Sequence, residues 1–203
     1  SKFATIQTCT EEQWARIQAR YQIPGATLDD LCGRRYGLPA TACATADQVR
    51  VEREAREAVG KSPENPVPYL QRGELGEGFT LQVGSWNPNA SSVVRGGTLG
   101  MGNPAPPAGM TYVLANVILR YDGDQPSDDT LVQISLIGDR RTEYGGLGDL
   151  VFVDDMFTGL GSIAQGGNMS GNRGWLVPTA ELPTLQLVAT VGYNSTKIYF
   201  ALR

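Results

Sequence analysis

The clearest alternation of apolar and polar positions along the chain runs from Tyr112 to Tyr121, where every second residue, Val113, Ala115, Val117, Leu119 and Tyr121, carries an apolar or aromatic side chain. A period of two puts all five on one face of a strand, and the Pro106-Pro107-Ala108-Gly109 turn marks where that strand starts. Shorter rows repeat the pattern: Phe79, Leu81 and Val83; Val132, Ile134 and Leu136; Leu185, Leu187, Ala189 and Val191; Ile198, Phe200 and Leu202. Together these predict strands over 79–83, 112–121, 131–137, 150–153, 175–177, 185–191 and 198–202, separated by Gly, Asp, Asn and Pro.

That spacing of short strands predicts a mainly β chain whose larger part is an immunoglobulin-like antiparallel β-sandwich. The first sixty residues follow another period. Thr10 with Gln13 forms a capping box ahead of Trp14, Ile17 and Tyr21, and Pro24-Gly25 stops the run. Thr27 caps a second short helix with Leu28, Leu31 and Cys32, and Thr45 with Gln48 opens a third that runs to Val59. The third offers Glu52 with Arg56 and Arg53 with Glu57 at i,i+4 spacing, so one side of it is solvated. Lys61 to Pro68 holds three prolines in six residues, which resist both helix and ladder pairing. The predicted organisation is a small helical subdomain over 1–62, a Pro-rich linker over 63–73 and the sandwich over 74–203.

Charge narrows the function classes. The net charge is −4 and no basic run exceeds two residues, so the clustered positive charge that nucleic-acid binding depends on is missing. No stretch approaches the length of apolar chain that a membrane span needs. With no histidine in the sequence, triads built on an imidazole base are excluded, and acid–base work would fall to carboxylates, lysine or tyrosine. The adjacent acids Asp154-Asp155 are the pair a carboxylate hydrolase would use, yet no nucleophile and base can be named beside them, and the expectation is a chain without catalytic residues or cofactor.

Three cysteines, Cys9, Cys32 and Cys43, lie in the first quarter without a CxxC pair, which argues against structural zinc. If the three helices run up, down and up, Cys9 and Cys43 fall at one end. That favours a Cys9–Cys43 bridge with Cys32–Cys43 as competitor; three reduced cysteines packed as small hydrophobes is the other reading. Asp122, Asp124, Asp128 and Asp129 put four carboxylates in eight residues and are the calcium candidates, although EF-hand spacing is absent and a solvated hairpin loop explains them equally. Gly96 to Asn103 is glycine-rich but lacks a P-loop lysine. Trp86 reads as a core or inter-domain aromatic ahead of an exposed contact residue.

Several blocks carry a resemblance. Gly78-Phe79-Thr80-Leu81-Gln82-Val83, Pro107-Ala108-Gly109-Met110-Thr111-Tyr112-Val113-Leu114, Leu131 through Tyr144, and Gly174-Trp175-Leu176-Val177-Pro178 followed by Leu185-Gln186-Leu187 resemble, in order, the bacterial telokin-like extracellular domain family of unknown function. The resemblance covers residues 74–203 and departs at Tyr121-Asp122-Gly123, where the family carries paired asparagines. It implies an extracytoplasmic, secreted or surface-anchored protein, of the lipoprotein kind, and carries no functional residues over. Tyr21 through Leu38 is similar to the first half of a LysM module, which binds N-acetylglucosamine polymers, but its closing strand is missing. The functional expectation is a non-catalytic surface module that meets protein partners or forms a homo-oligomer; the alternative is an envelope-glycan (peptidoglycan) binder.

Overall fold

The structure, a computed structural model, describes residues 51–95, 102–124, 127–145, 151–192 and 196–203, with the side chains of residues 95 and 128–131 outside the description. The chain divides into two compact units, Ser1–Ala58 and Val59–Arg203. Of the first, residues 51–57 form a helical turn of the predicted third helix, with Arg53 Nε 3.7 Å from Glu57 Oε1 as the i,i+4 spacing anticipates. Cys9, Cys32, Cys43 and the LysM-like stretch 21–38 lie outside the described residues.

The second unit is an antiparallel β-sandwich. Its strands are β1 (Arg72–Gly76), β2 (Phe79–Asn87), β3 (Met110–Tyr121), β4 (Ser127–Ile137), β5 (Glu143–Tyr144), β6 (Leu160–Ile163), β7 (Asn168–Pro178), β8 (Gln186–Val191) and β9 (Ile198–Ala201), with a short helix α1 (Ser91–Arg95) between β2 and β3. One sheet has the order β1-β2-β3-β7 and the other β5-β4-β8-β9, with β6 pairing β4. The chain crosses between sheets from β3 to β4 and from β7 to β8, and β9 pairs antiparallel with β8. β3, β4, β7, β8 and β9 thereby occupy the B, C, E, F and G places of the immunoglobulin-like Greek key.

Every alternating row read from the sequence points inward. Val113, Ala115, Val117 and Leu119 have no exposed surface, Tyr121 keeps 7%, and they meet Leu81, Val83, Leu136, Leu187, Ala189 and Phe200 in one core. Complete burial of an aliphatic side chain contributes about 1.5–3 kcal/mol, so this row anchors the sandwich. β3 has a second buried face. Tyr112 and Leu114 point outward and are covered by Ala90, Val94, Val151 and Val153, forming a smaller cluster under α1.

Three expectations are corrected. Residues 151–153, the described part of the strand expected over 150–153, form no strand: Val151 bridges Gly174 antiparallel and Met156 bridges Asn172 in parallel, because the chain turns at Asp154-Asp155, where Asp155 has a φ of 51°. The acidic run is not a hairpin loop, since β3 and β4 lie in different sheets and Asp128 and Asp129 belong to β4. Residues 63–73, expected as a linker, are bound to the sandwich over part of their length. Val67 N donates to Tyr199 O and Val67 O accepts from Ala201 N, both at 2.8 Å, while Gly60 O accepts from Tyr199 N. Proline has no N–H, but Val67 between Pro66 and Pro68 keeps its own and closes the outer edge of β9.

β1 escaped the sequence reading because Leu75 is its single large apolar residue. Gly73 faces the core with no side chain: a Cβ there would lie 2.7 Å from both the Phe200 ring and Val67. The space an alternating row would have filled is taken by neighbours.

Candidate functional site

Asp122 follows the end of β3, and its two carboxylate oxygens share the single Arg120 Nε–H at 2.9 and 2.8 Å. That hydrogen bond, with the Arg120 charge behind it, holds the Asp122 carboxyl below the usual carboxylate range. The backbone around it is fixed. Asp122 N donates to Gly78 O at 2.9 Å, and a Cβ on Gly78 would touch the Gly123 backbone at 2.7 Å, so two glycine turns stack beside the Tyr121 ring. Asp124 is exposed, and the side chains of Asp128 and Asp129 lie outside the description. Among the described residues, no three Cys, Asp or Glu side chains gather as metal ligands. Thus Asp122 is engaged by Arg120 where a calcium ligand set was one expectation.

The least ordinary group is Glu181, which the sequence did not single out. It closes a single 3-10 turn, Thr179–Glu181, on the crossing from β7 to β8, and only 4% of it is exposed. Buried carboxylates are rare without partners. Here the Tyr144 phenol of β5 lies close enough for Glu181 to act on it, and Arg140 Nε stands 3.9 Å from Oε1. The other oxygen, Oε2, has no hydrogen-bond partner and lies against Gly138, where a Cβ would come within 1.9 Å of it. Thr184 Oγ1 donates to the Glu181 carbonyl at 3.1 Å, holding the turn. Burial, then the neighbouring Glu181, raises the Tyr144 phenol above its ordinary value. Arg140, Tyr144 and Gly138 thus set the β4–β5 hairpin against the β7–β8 crossing at Glu181. Only an acid three residues after Val177-Pro178 marks it in sequence, and nothing there announces burial.

On the outer face of the other sheet, Asn103 does comparable work. Its Nδ2 donates to Val94 O at 2.8 Å and Phe152 O at 2.7 Å, while Oδ1 accepts from Phe152 N at 3.0 Å. One amide thus ties α1 to the 151–157 segment. Asn172 continues the tie, donating through Nδ2 to Asp154 O and accepting through Oδ1 from Asn116. Asp154 and Asp155 are exposed, and their carbonyls serve this seam. Trp86 is half-buried against the main core, as a packing aromatic should be.

β7 also carries two groups on its inward row. Trp175 is 1% exposed with Nε1 unpartnered, and Arg173 is partly buried, which lowers the pKa of its guanidinium.

No family model matches the chain, and no curated protein does. Among solved structures, it is similar to a conserved hypothetical protein from Bacillus anthracis, with 12% identity over 65% of this chain and 94% of that one and a TM-score of 0.44. An uncharacterized β-sandwich protein from Clostridium difficile 630 shares 11% identity over 68% of this chain and 95% of that one, at a TM-score of 0.38. The yjhA protein from Bacillus subtilis also shares 11%, over 60% of this chain and 78% of that one, at 0.38.

Proposed function

We propose that this chain is a non-catalytic, extracytoplasmic binding or assembly module that works through protein–protein contacts, as an accessory or structural subunit of a larger surface complex. The observation that carries this reading is the filled interior. Leu81, Val113, Ala115, Val117, Leu119, Leu136, Val177, Leu187 and Ala189 are wholly buried, and glycines 73, 159, 171 and 174 sit where a Cβ would strike a neighbour. An interior packed in this way leaves the faces, loops and strand edges for recognition. The buried polar groups support the same view: Glu181 and Tyr144 join two turns to each other, and Asn103 joins α1 to the 151–157 segment. The extracytoplasmic location rests on the telokin-like resemblance. No helix among the described residues is long and apolar enough to cross a membrane.

Native mass spectrometry of material gently extracted from its source tests the reading. The chain is expected within a species heavier than its own monomer; a monomer mass alone overturns it. Retention on purified peptidoglycan, with no protein partner, would favour the glycan-binding alternative instead.

A further inference from the structure

We propose that β1 is a self-pairing edge, through which two copies of this chain join antiparallel about Gly73 and merge their β1-β2-β3-β7 sheets. This deepens the reading of the chain as an assembly module by naming its partner, and it rests on that reading.

The edges of the sandwich are treated unequally. The outer edge of β9 is closed by Gly60 and Val67, which engage Tyr199 N, Tyr199 O and Ala201 N. The free side of β7 is covered by the 155–157 segment, since Asn172 N donates to Asp155 O and Phe157 N donates to Asn172 O. β5 is two residues long. β1 ends its sheet, and among the described residues no strand pairs with its other side. An open edge is a template for a further strand.

Its side chains specify which strand. Arg72 and Glu74 are both exposed and stand on the same face of β1, with Gly73 between them facing the core. In an antiparallel pair, directly opposed residues share a face. Centring two copies on Gly73 sets Arg72 of one copy against Glu74 of the other, and the two-fold axis repeats the pair, as an isologous interface must. Guarded edges carry like charges, which repel when such strands meet; these two carry opposite signs at the spacing self-pairing requires. Arg72 feels Asp122 at a distance, but among the described residues neither the Arg72 nor the Glu74 side chain has a hydrogen bond or an ion pair within 4 Å to engage it otherwise. Leu70, 51% exposed, falls toward Gly76 of the other copy, where the space a Cβ would take is open.

The test uses the full chain and its charge variants in sedimentation velocity, from about 10 μM to about 1 mM, the range in which small interfaces associate. The wild type is expected to dimerise, and to do so less as salt is raised. Arg72→Glu sets Glu against Glu twice and Glu74→Arg sets Arg against Arg twice, so each alone should weaken association about tenfold or more. Mixing the two variants restores both pairs, and a heterodimer should form with wild-type affinity. A wild type that stays monomeric throughout overturns the proposal, as does a dimer that neither substitution weakens. If a variant misfolds by circular dichroism, the salt dependence of the wild-type dimer decides in its place: a salt-indifferent dimer overturns the charge pairing. A monomeric purified chain found in a heavy native complex would sink self-pairing and leave the module reading standing.

Discussion

Gly138 and Glu181 should be energetically coupled although they are far apart in sequence. An alanine at 138 places its Cβ 1.9 Å from Glu181 Oε2 and 3.0 Å from Cδ, well inside contact distance. Gly138 lacks a positive φ, so alanine fits its backbone and would by itself stabilise by about 0.4–1 kcal/mol through the unfolded chain. Glu181 must therefore move, and at 4% exposure it can do so only by leaving its buried place beside Arg140 and Tyr144. Displacing a buried polar group from its neighbours costs about 1.5–3 kcal/mol, which outweighs the gain and makes Gly138→Ala a net loss of about 1–2 kcal/mol. Glu181→Ala removes the same contacts at a similar cost. In the double variant the clash is gone and the alanine gain returns, so the pair should cost about 1.5–3 kcal/mol less than the sum of the singles. Urea unfolding followed by fluorescence of the buried Trp175 measures the cycle. Additivity within about 0.5 kcal/mol would refute the claim that Glu181 occupies the Gly138 side-chain position.

Leu119→Ala, at a position with no exposed surface, should cost about 3–5 kcal/mol in chemical denaturation, because a close-packed core cannot collapse onto the void. Asn103→Ala removes two donated hydrogen bonds and one accepted, so about 2–4 kcal/mol should be lost locally, read as faster hydrogen exchange at Phe152 and across α1. Tyr144 has a raised folded-state pKa, so its contribution is complete below the unfolded value of about 10 and is lost as pH rises through the folded one. Stability measured from pH 8 to pH 11 should fall at the alkaline end, and Tyr144→Phe should flatten that fall.

The candidate sites were far less legible than the strands. The carboxylates at 122–129 drew attention as a cluster, yet Asp122 is held by Arg120, two residues back on the outward face of β3. Glu181 drew none, because a lone acid after Val-Pro reads as a solvated turn residue. Its burial follows from the β4–β5 hairpin folding over it, a contact between segments some forty residues apart. Asn103, at the end of a glycine-rich sequence, likewise gains its role only when Val94 and Phe152 converge on it.

By itself the sequence determined the sandwich and its inward rows, because a period of two at Val113 to Tyr121 and its shorter copies is a local property that burial of one face then enforces. What the tertiary structure alone decided was which positions a neighbour fills in place of a side chain. Gly73 is a core position of a strand because Phe200 and Val67 occupy its space, and residues 63–68 are bound in part because Val67 alone among prolines keeps an N–H for Tyr199. Both outcomes depend on packing between distant segments, which leaves no period along the chain to read.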